Sequence, residues 1–131
     1  MAQGQTPQMM PIQTMTMIAS EAITLYAAVK GTASTEGYIS LADSDSMALG
    51  VALNAAAANE EVTVAIRGIV YAVANAVVAV YSMVHPVAAT GYVDDTNVAA
   101  AYYLGVALTA ATAQGNWIAV HLTPGSLYAA T

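Results

Sequence analysis

The side chains that could carry covalent or acid–base chemistry are few and scattered. His85, His121, Lys30 and Arg67 are all the histidine, lysine and arginine the chain has. A catalytic site needs such a group within reach of a nucleophile or a second ionisable side chain, and none of the four shares a motif with one. His85 stands before Pro86 in an expected loop, with no special role. His121 alternates with Val120 and Leu122 on the outward face of an expected strand, as an interface or surface residue. Cysteine is absent, which removes thiolate chemistry, disulfides and cysteine-ligated metals. Acidic groups pair twice, as Asp43 with Asp45 and Asp94 with Asp95. A D-x-D spacing can ligate calcium, but the loop motif also needs a glycine at its sixth position and a terminal glutamate. "DSDSMALGVALN" has neither where required, so these residues read as turn formers. Glu60 and Glu61 fall in another loop and are expected to be solvated. No glycine-rich phosphate cradle exists. The expectation is a protein that is not an enzyme and uses no metal or cofactor. Tyr38, Tyr92, Tyr102, Tyr103 and Trp117, read as exposed, could stack on a sugar or anchor a protein interface.

Composition favours the interface. Apolar residues are 58% and charged residues 8%, against roughly 25% charged in ordinary soluble domains. A formal net charge of -6 leaves no basic patch to neutralise phosphates, so nucleic acid is not an expected partner. Alanine is abundant and phenylalanine absent. Small side chains each bury little area at about 25 cal/mol per Å², so such a domain gains from a partner. "IVYAVANAVVAVYSMV", Ile69 to Val84, is shorter than the roughly 20 residues that cross a bilayer as a helix. Being rich in Val and Tyr, it reads as two buried strands around Asn75, and no membrane is expected. The N-terminus has no basic residue before its first apolar ones and no unbroken apolar run, unlike a secretory signal.

The elements that must position these residues come in two copies. "LGVALNAAAANEEVTVAI" at Leu49 to Ile66 returns as "LGVALTAATAQGNWIAV" at Leu104 to Val120. Gly50 and Gly105, with Ala52 and Ala107, would let a neighbouring layer or subunit approach closely. Upstream, Tyr26 matches Tyr81, Val29 matches Val84 and Gly37 matches Gly91, with one extra residue near Glu36 in the first copy. At the end, a register in which Val62, Val64 and Ile66 match Ile118, Val120 and Leu122 keeps one apolar face in both copies. A shift by one residue would reverse every side chain. The extra residue then falls near Gly115, in a turn, and Trp117, Ala119 and His121 point away from the core of their own sheet, as Glu61, Thr63 and Ala65 do. The alternation within each copy has period two, so each copy is a short meander of strands. The Ala-rich pieces, Ala55 to Ala58 and Ala110 to Ala113, are too short for stable helices and read as loops. The expected fold is all-β, a small β-barrel or β-sandwich built from two related β-meanders. Its single domain spans 23–122, with repeats 23–68 and 77–122.

Residues 1–22 form an extended N-terminal arm carrying Gln3, Gln5, Gln8 and Gln13 and five methionines, uncharged until Glu21. Pro7 and Pro11 oppose a helix. "IQTMTMI" alternates like an edge strand, suited to adding to a sheet of a neighbouring chain, with methionines adapting to an irregular surface. The C-terminal "LTPGSLYAAT", which runs from Leu122 through the tail 123–131, reads as a turn and an apolar end. Its Leu127 and Tyr128 lie either against a neighbouring subunit or back on the domain.

The order apolar-x-apolar-Tyr, Thr-Gly-Tyr-Ile/Val, Leu-Gly-Val-Ala-Leu, Ala-rich loop and Val-x-Val strand, from Ile23 to Leu122, resembles the capsid cement or head decoration proteins of tailed bacteriophages. Those proteins commonly show G-V-A with an Ala-rich loop, then V-x-V with a glycine as in "VTVAIRG", and V-Y as in Val80-Tyr81. Where the family often has Gly-Asp shortly before that V-Y, this chain has Val77-Val78, so the turn there is built differently. The resemblance implies a structural protein on the outer surface of an expanded phage head. Its partners would be the major capsid protein and itself, as a homotrimer. Contact residues are then expected at Met9, Met10, Ile12, Met15, Met17 and Ile18 on the arm and at Trp117 on the body. The other reading is a surface-displayed carbohydrate-binding or adhesive β module.

Overall fold

The computed structural model describes residues 9–32, 35–43, 46–87, 90–96 and 102–127, with backbone alone for 124–127. Gln3, Gln5, Pro7, Gln8, Asp45 and Tyr128 lie outside them. Every regular element among these residues is a strand: β1 (Met10–Ala19), β2 (Ala28–Gly31), β3 (Tyr38–Leu41), β4 (Ala48–Ala52), β5 (Glu61–Val73), β6 (Met83–Pro86), β7 (Val93–Asp94), β8 (Tyr102–Ala107) and β9 (Trp117–Leu127). The strand order is β1-β3-β2-β4-β5-β9-β8-β6-β7, and β1 also pairs with β5. The first five strands of that order therefore close into a ring. On the other side, β5, β9, β8, β6 and β7 follow one another, and a parallel bridge from Ala74 to Val93 returns β7 to the end of β5.

The repeat is written into the backbone bonds. In the first copy Tyr26 N–H donates to Ala52 O and Leu53 N–H to Thr63 O; in the second, Tyr81 N–H donates to Ala107 O and Leu108 N–H to Ala119 O. The bridge Ile23 to Ala56 has its twin in Val78 to Ala111. Val51 and Ala52 face Ala65 and Val64 on β5, just as Val106 and Ala107 face His121 and Val120 on β9. These pairs confirm the register that sets Val64 against Val120. Gly50 and Gly105 explain why the phrase recurs. A Cβ on Gly50 would overlap the carbonyl oxygen of Ala65, and one on Gly105 that of His121. At both places the next strand of the same sheet comes too close for a side chain.

The equivalence also reaches β1. Met15 and Met17 pair with Val64 and Val62, as Val70 and Ala72 pair with Val120 and Ile118. Ala19 N–H donates to Glu60 O as Ala74 N–H does to Asn116 O. β1 is thus the opening strand of the first copy, and the second half of β5 is the opening strand of the second. One strand closes the first ring and opens the next. The change occurs at Gly68, whose φ is 110°, a conformation that side chains other than hydrogen disfavour.

Two cores follow from two rings. One gathers Ala19, Ile23, Val29, Ile39, Ala52, Ala56, Val62 and Val64. The other holds the residues equivalent to all of these: Ala74, Val78, Val84, Val93, Ala107, Ala111, Ile118 and Val120. It also takes in Ala28, Ala42, Ala48, Val51 and Ala65 from the first copy, which fasten the two rings together. The Ala-rich loops close each ring, with Ala56 and Ala111 buried.

Several expectations need correction. Ile69 to Val84 is not two buried strands: β5 ends at Val73, and Val77, Val80 and Tyr81 are exposed in a turn before β6. Their apolar spacing imitates a strand although no neighbour covers them. Ala65 and Ala119 are buried rather than outward-facing; Ala65 packs into the second core. The segment "LTPGSL" is not a turn, since β9 continues and pairs Ser126 and Leu127 with Tyr103 and Tyr102. His85 lies in β6 and is buried.

Candidate functional site

The scattered polar groups resolve into structural roles. Lys30 Nζ pairs with Asp43 Oδ2 at 3.0 Å. Asp95 Oδ2 accepts from the Ala79 N–H at 2.9 Å and from the Ser82 hydroxyl at 3.1 Å, and Asp94 Oδ1 accepts from the Thr96 N–H. Asp94 thus acts within its own turn, as expected, whereas Asp95 reaches across to cap the distant turn before β6. Glu60 Oε1 accepts from Ala57 N–H, the task Asn116 Oδ1 performs on Thr112 N–H in the second copy. His85 has Nδ1 3.1 Å from Pro86 O and Nε2 3.0 Å from Thr96 O, with Tyr103 edge-on at 5.7 Å between centroids. Among the described residues no three of His, Asp and Glu gather where a metal ion could sit.

What the surface offers instead is uncovered apolar area. β1 donates and accepts along one edge to β5. Its other edge meets β3 only at Ile18 and Ala19, so from Met10 to Met17 that edge has no strand partner among the described residues. Sequence alternation signals such an edge strand, but here it pairs within its own chain. Met10 is 61% exposed, Ile12 79% and Met15 39%. Met9 packs on the second core and Met17 on the first, and Ile18 is half-buried beside Tyr38 and Glu61. The arm residues therefore divide: Met10 and Ile12 stand largely in water, Met15 is partly exposed on the face it shares with Met17, and Met9 and Met17 serve the fold. Next to Ile12 opens a concavity of about 610 Å³ lined also by Met47, Leu49, Ile66, Arg67 and His121.

Trp117 is separate from these. It is 56% exposed and pairs across to Val73, whereas Met10 pairs near the start of the second half of β5, with Ile69. Tyr26 meets Trp117 edge-on at 4.9 Å between centroids, and Tyr71 stacks on it at 6.1 Å. Of the aromatics read as exposed, Tyr103 is buried and Tyr38, Tyr92 and Tyr102 are half-buried. The ring cluster is built from Tyr26 and Tyr71, which spacing alone did not single out. Among the described residues the most exposed tyrosine is Tyr81, at 74%. Its signal was its match to Tyr26.

No curated protein matches the chain. Among solved structures, the head fiber gp8.5 N base of bacteriophage phi29 is similar at a TM-score of 0.69 and 15% identity. The match covers 85% of this chain and 93% of that one, which is a likeness of fold. The family described as phage cement protein matches residues 8–122. That match spans most of the chain and shows the family: the chain belongs to the phage cement protein family, structural proteins of the phage head.

Proposed function

We propose that the protein decorates the outer surface of the expanded phage head as a homotrimer and stabilises the shell, with the major capsid protein and itself as partners. The supporting observation is the uncharged open edge of β1, where Met10 and Ile12 stand largely in water, with Met15 partly exposed, beside the concavity that Met47 helps to line. Free N–H and C=O groups on such an edge accept an added strand, and methionines adapt to the relief of a shell. Only an expanded shell would present the complementary surface.

Removal of residues 1–20 is a poor test, because β1 is a wall of the first ring. Paired substitutions Met10→Asp and Ile12→Asp leave that wall in place. Purified protein added to heads stripped of it is expected to bind stoichiometrically and to raise the temperature at which the heads rupture. The double variant is expected to bind on the order of tenfold more weakly or worse, the loss of one interface anchor worth over 1 kcal/mol. Undiminished binding would refute the role of this edge. A carbohydrate-binding reading rests on the Tyr26, Tyr71 and Trp117 cluster. Saturable glycan binding abolished by Trp117→Ala is the result that would favour it.

A further inference from the structure

The internal repeat makes each surface of one copy comparable with its twin on the other, and one pair of twins differs sharply. In the first copy, the turn before β2 carries Tyr26 at φ 64°, half-buried on Tyr71 and Trp117 of the second copy. In the second copy, the turn before β6 carries Tyr81 at φ 66°, with the same backbone bond to an alanine carbonyl. It has no aromatic neighbour among the described residues and is 74% exposed. Positive φ is a disfavoured conformation for a tyrosine, yet both copies hold it.

Around Tyr81 the exchanges between copies enlarge the apolar surface. Ala22, Thr24 and Ala28 in the first copy correspond to Val77, Ala79 and Met83 in the second, and Leu25 corresponds to Val80. Val77 is 65% exposed, Val80 46% and Met83 39%, whereas Leu25 is half-buried and Ala28 buried. Two exchanges run the other way: Leu25 to Val80 gives a smaller side chain, though a more exposed one, and Ala27 to Ser82 is taken up inside the turn, where the hydroxyl donates to Ala79 O and Asp95 Oδ2. A turn that faces only water has no reason to exchange Thr for Ala, or Ala for Val and Met. Contiguous exposed apolar surface marks an interaction site.

The first copy's turn has an occupant, which tells what fits the second. Tyr26 rests where the opening strand of the next unit pairs with its closing strand, at Tyr71 of β5 and Trp117 of β9. The twins of Tyr71 and Trp117 are Thr16 on β1 and Glu61 on β5. Both are exposed, and they sit on the β1–β5 pair that begins the chain's own array. Repeat proteins that stack by one contact leave each end open to the next unit.

We infer that the turn 77–83 of one copy seats on the β1–β5 face of a second copy, placing Tyr81 beside Thr16 and Glu61. The contact is head-to-tail, so it closes into a ring or runs on as a filament. It supplies the interface for the self-association in the proposed function, and rests on that part of it and not on head binding.

The test uses the full chain free in solution. Sedimentation velocity over a concentration series is expected to show reversible association that Tyr81→Gly weakens at least tenfold. Glycine accepts the positive φ without strain, so this variant melts no lower than the parent. Because the chain has no cysteine, Tyr81→Cys and Thr16→Cys can be made singly. On oxidation their mixture is expected to give linked dimers, and neither variant alone should. Dimers from Tyr81→Cys alone would show a symmetric contact and overturn the inference. So would a parent that stays monomeric, an oligomer indifferent to Tyr81→Gly, or a mixture that does not cross-link. Head binding is measured separately, so a parent chain that stays monomeric yet binds heads refutes this contact and leaves decoration standing.

Discussion

Gly50 and Gly105 are the residues least able to change, because a methyl at either would meet a backbone oxygen of the adjoining strand. Gly50→Ala or Gly105→Ala is expected to cost about 1–3 kcal/mol, the usual range for overpacking, read as a lowered midpoint in urea. Sequence reading places a close approach at these glycines but assigns it to a neighbouring layer or subunit; what comes close is the adjoining strand of the same sheet. His85 was not readable in the same way. A His-Pro pair looks like a loop, since proline cannot donate to a ladder, yet Pro86 ends β6 and the imidazole turns inward. Both ring nitrogens face carbonyl oxygens. His85→Leu removes the imidazole from between the Pro86 and Thr96 carbonyls, one of which thereby loses a donor, at an expected cost of about 1–3 kcal/mol. Equal stability in thermal melts would contradict that role.

At the level of the strand, β1 shows how position outweighs composition. Met17 packs on the first core while Ile12 stands in water, although "IQTMTMI" offers no way to rank them. Met17→Asp is expected to lower the melting temperature of the whole molecule, since a charge placed at this half-buried site against the first core loses part of its hydration and finds no partner there. Ile12→Lys is expected to shift stability by no more than about 0.5 kcal/mol. Circular dichroism of the two variants separates them. The repeat of β1 in β5 escaped sequence comparison for a physical reason. Met15 and Met17 answer to Val70 and Ala72, and the first pair lines an edge that half faces solvent whereas the second is wholly buried. Different surroundings select different residues, and the homology of position survives only in the hydrogen bonds.

For the molecule as a whole, the all-β class and the doubled meander were legible from period two and from LGVAL. Ring closure was not, because it depends on which edges meet, and edges carry no side-chain signature. A shared β5 also ties the two cores thermodynamically. Calorimetry is expected to show one unfolding transition, with calorimetric and van't Hoff enthalpies equal, despite two separate apolar clusters. Two resolved transitions would mean that Gly68 acts as a joint and not as part of a continuous strand. A net charge of -6 spread over a surface whose contact edge is uncharged predicts weak dependence of head binding on salt. Raising NaCl from about 0.05 to about 0.5 M shortens the screening length severalfold and is expected to leave the affinity within about threefold. A fall of an order of magnitude or more would point to charged contacts in place of the β1 edge.

The direction of the three longest strands has a mechanical meaning. β1 and β9 both run antiparallel to β5, with the beginning of β1 toward one end of the bundle and the finish of β9 toward the other. A pull on the two ends of the chain along the strands slides β1 and β9 in opposite directions past β5. That geometry loads the ladder bonds together in shear, whereas peeling would break them one after another. A strand that two rings hold in common is then a rivet under lateral load, which suits the proposed role on a shell that is pushed from inside.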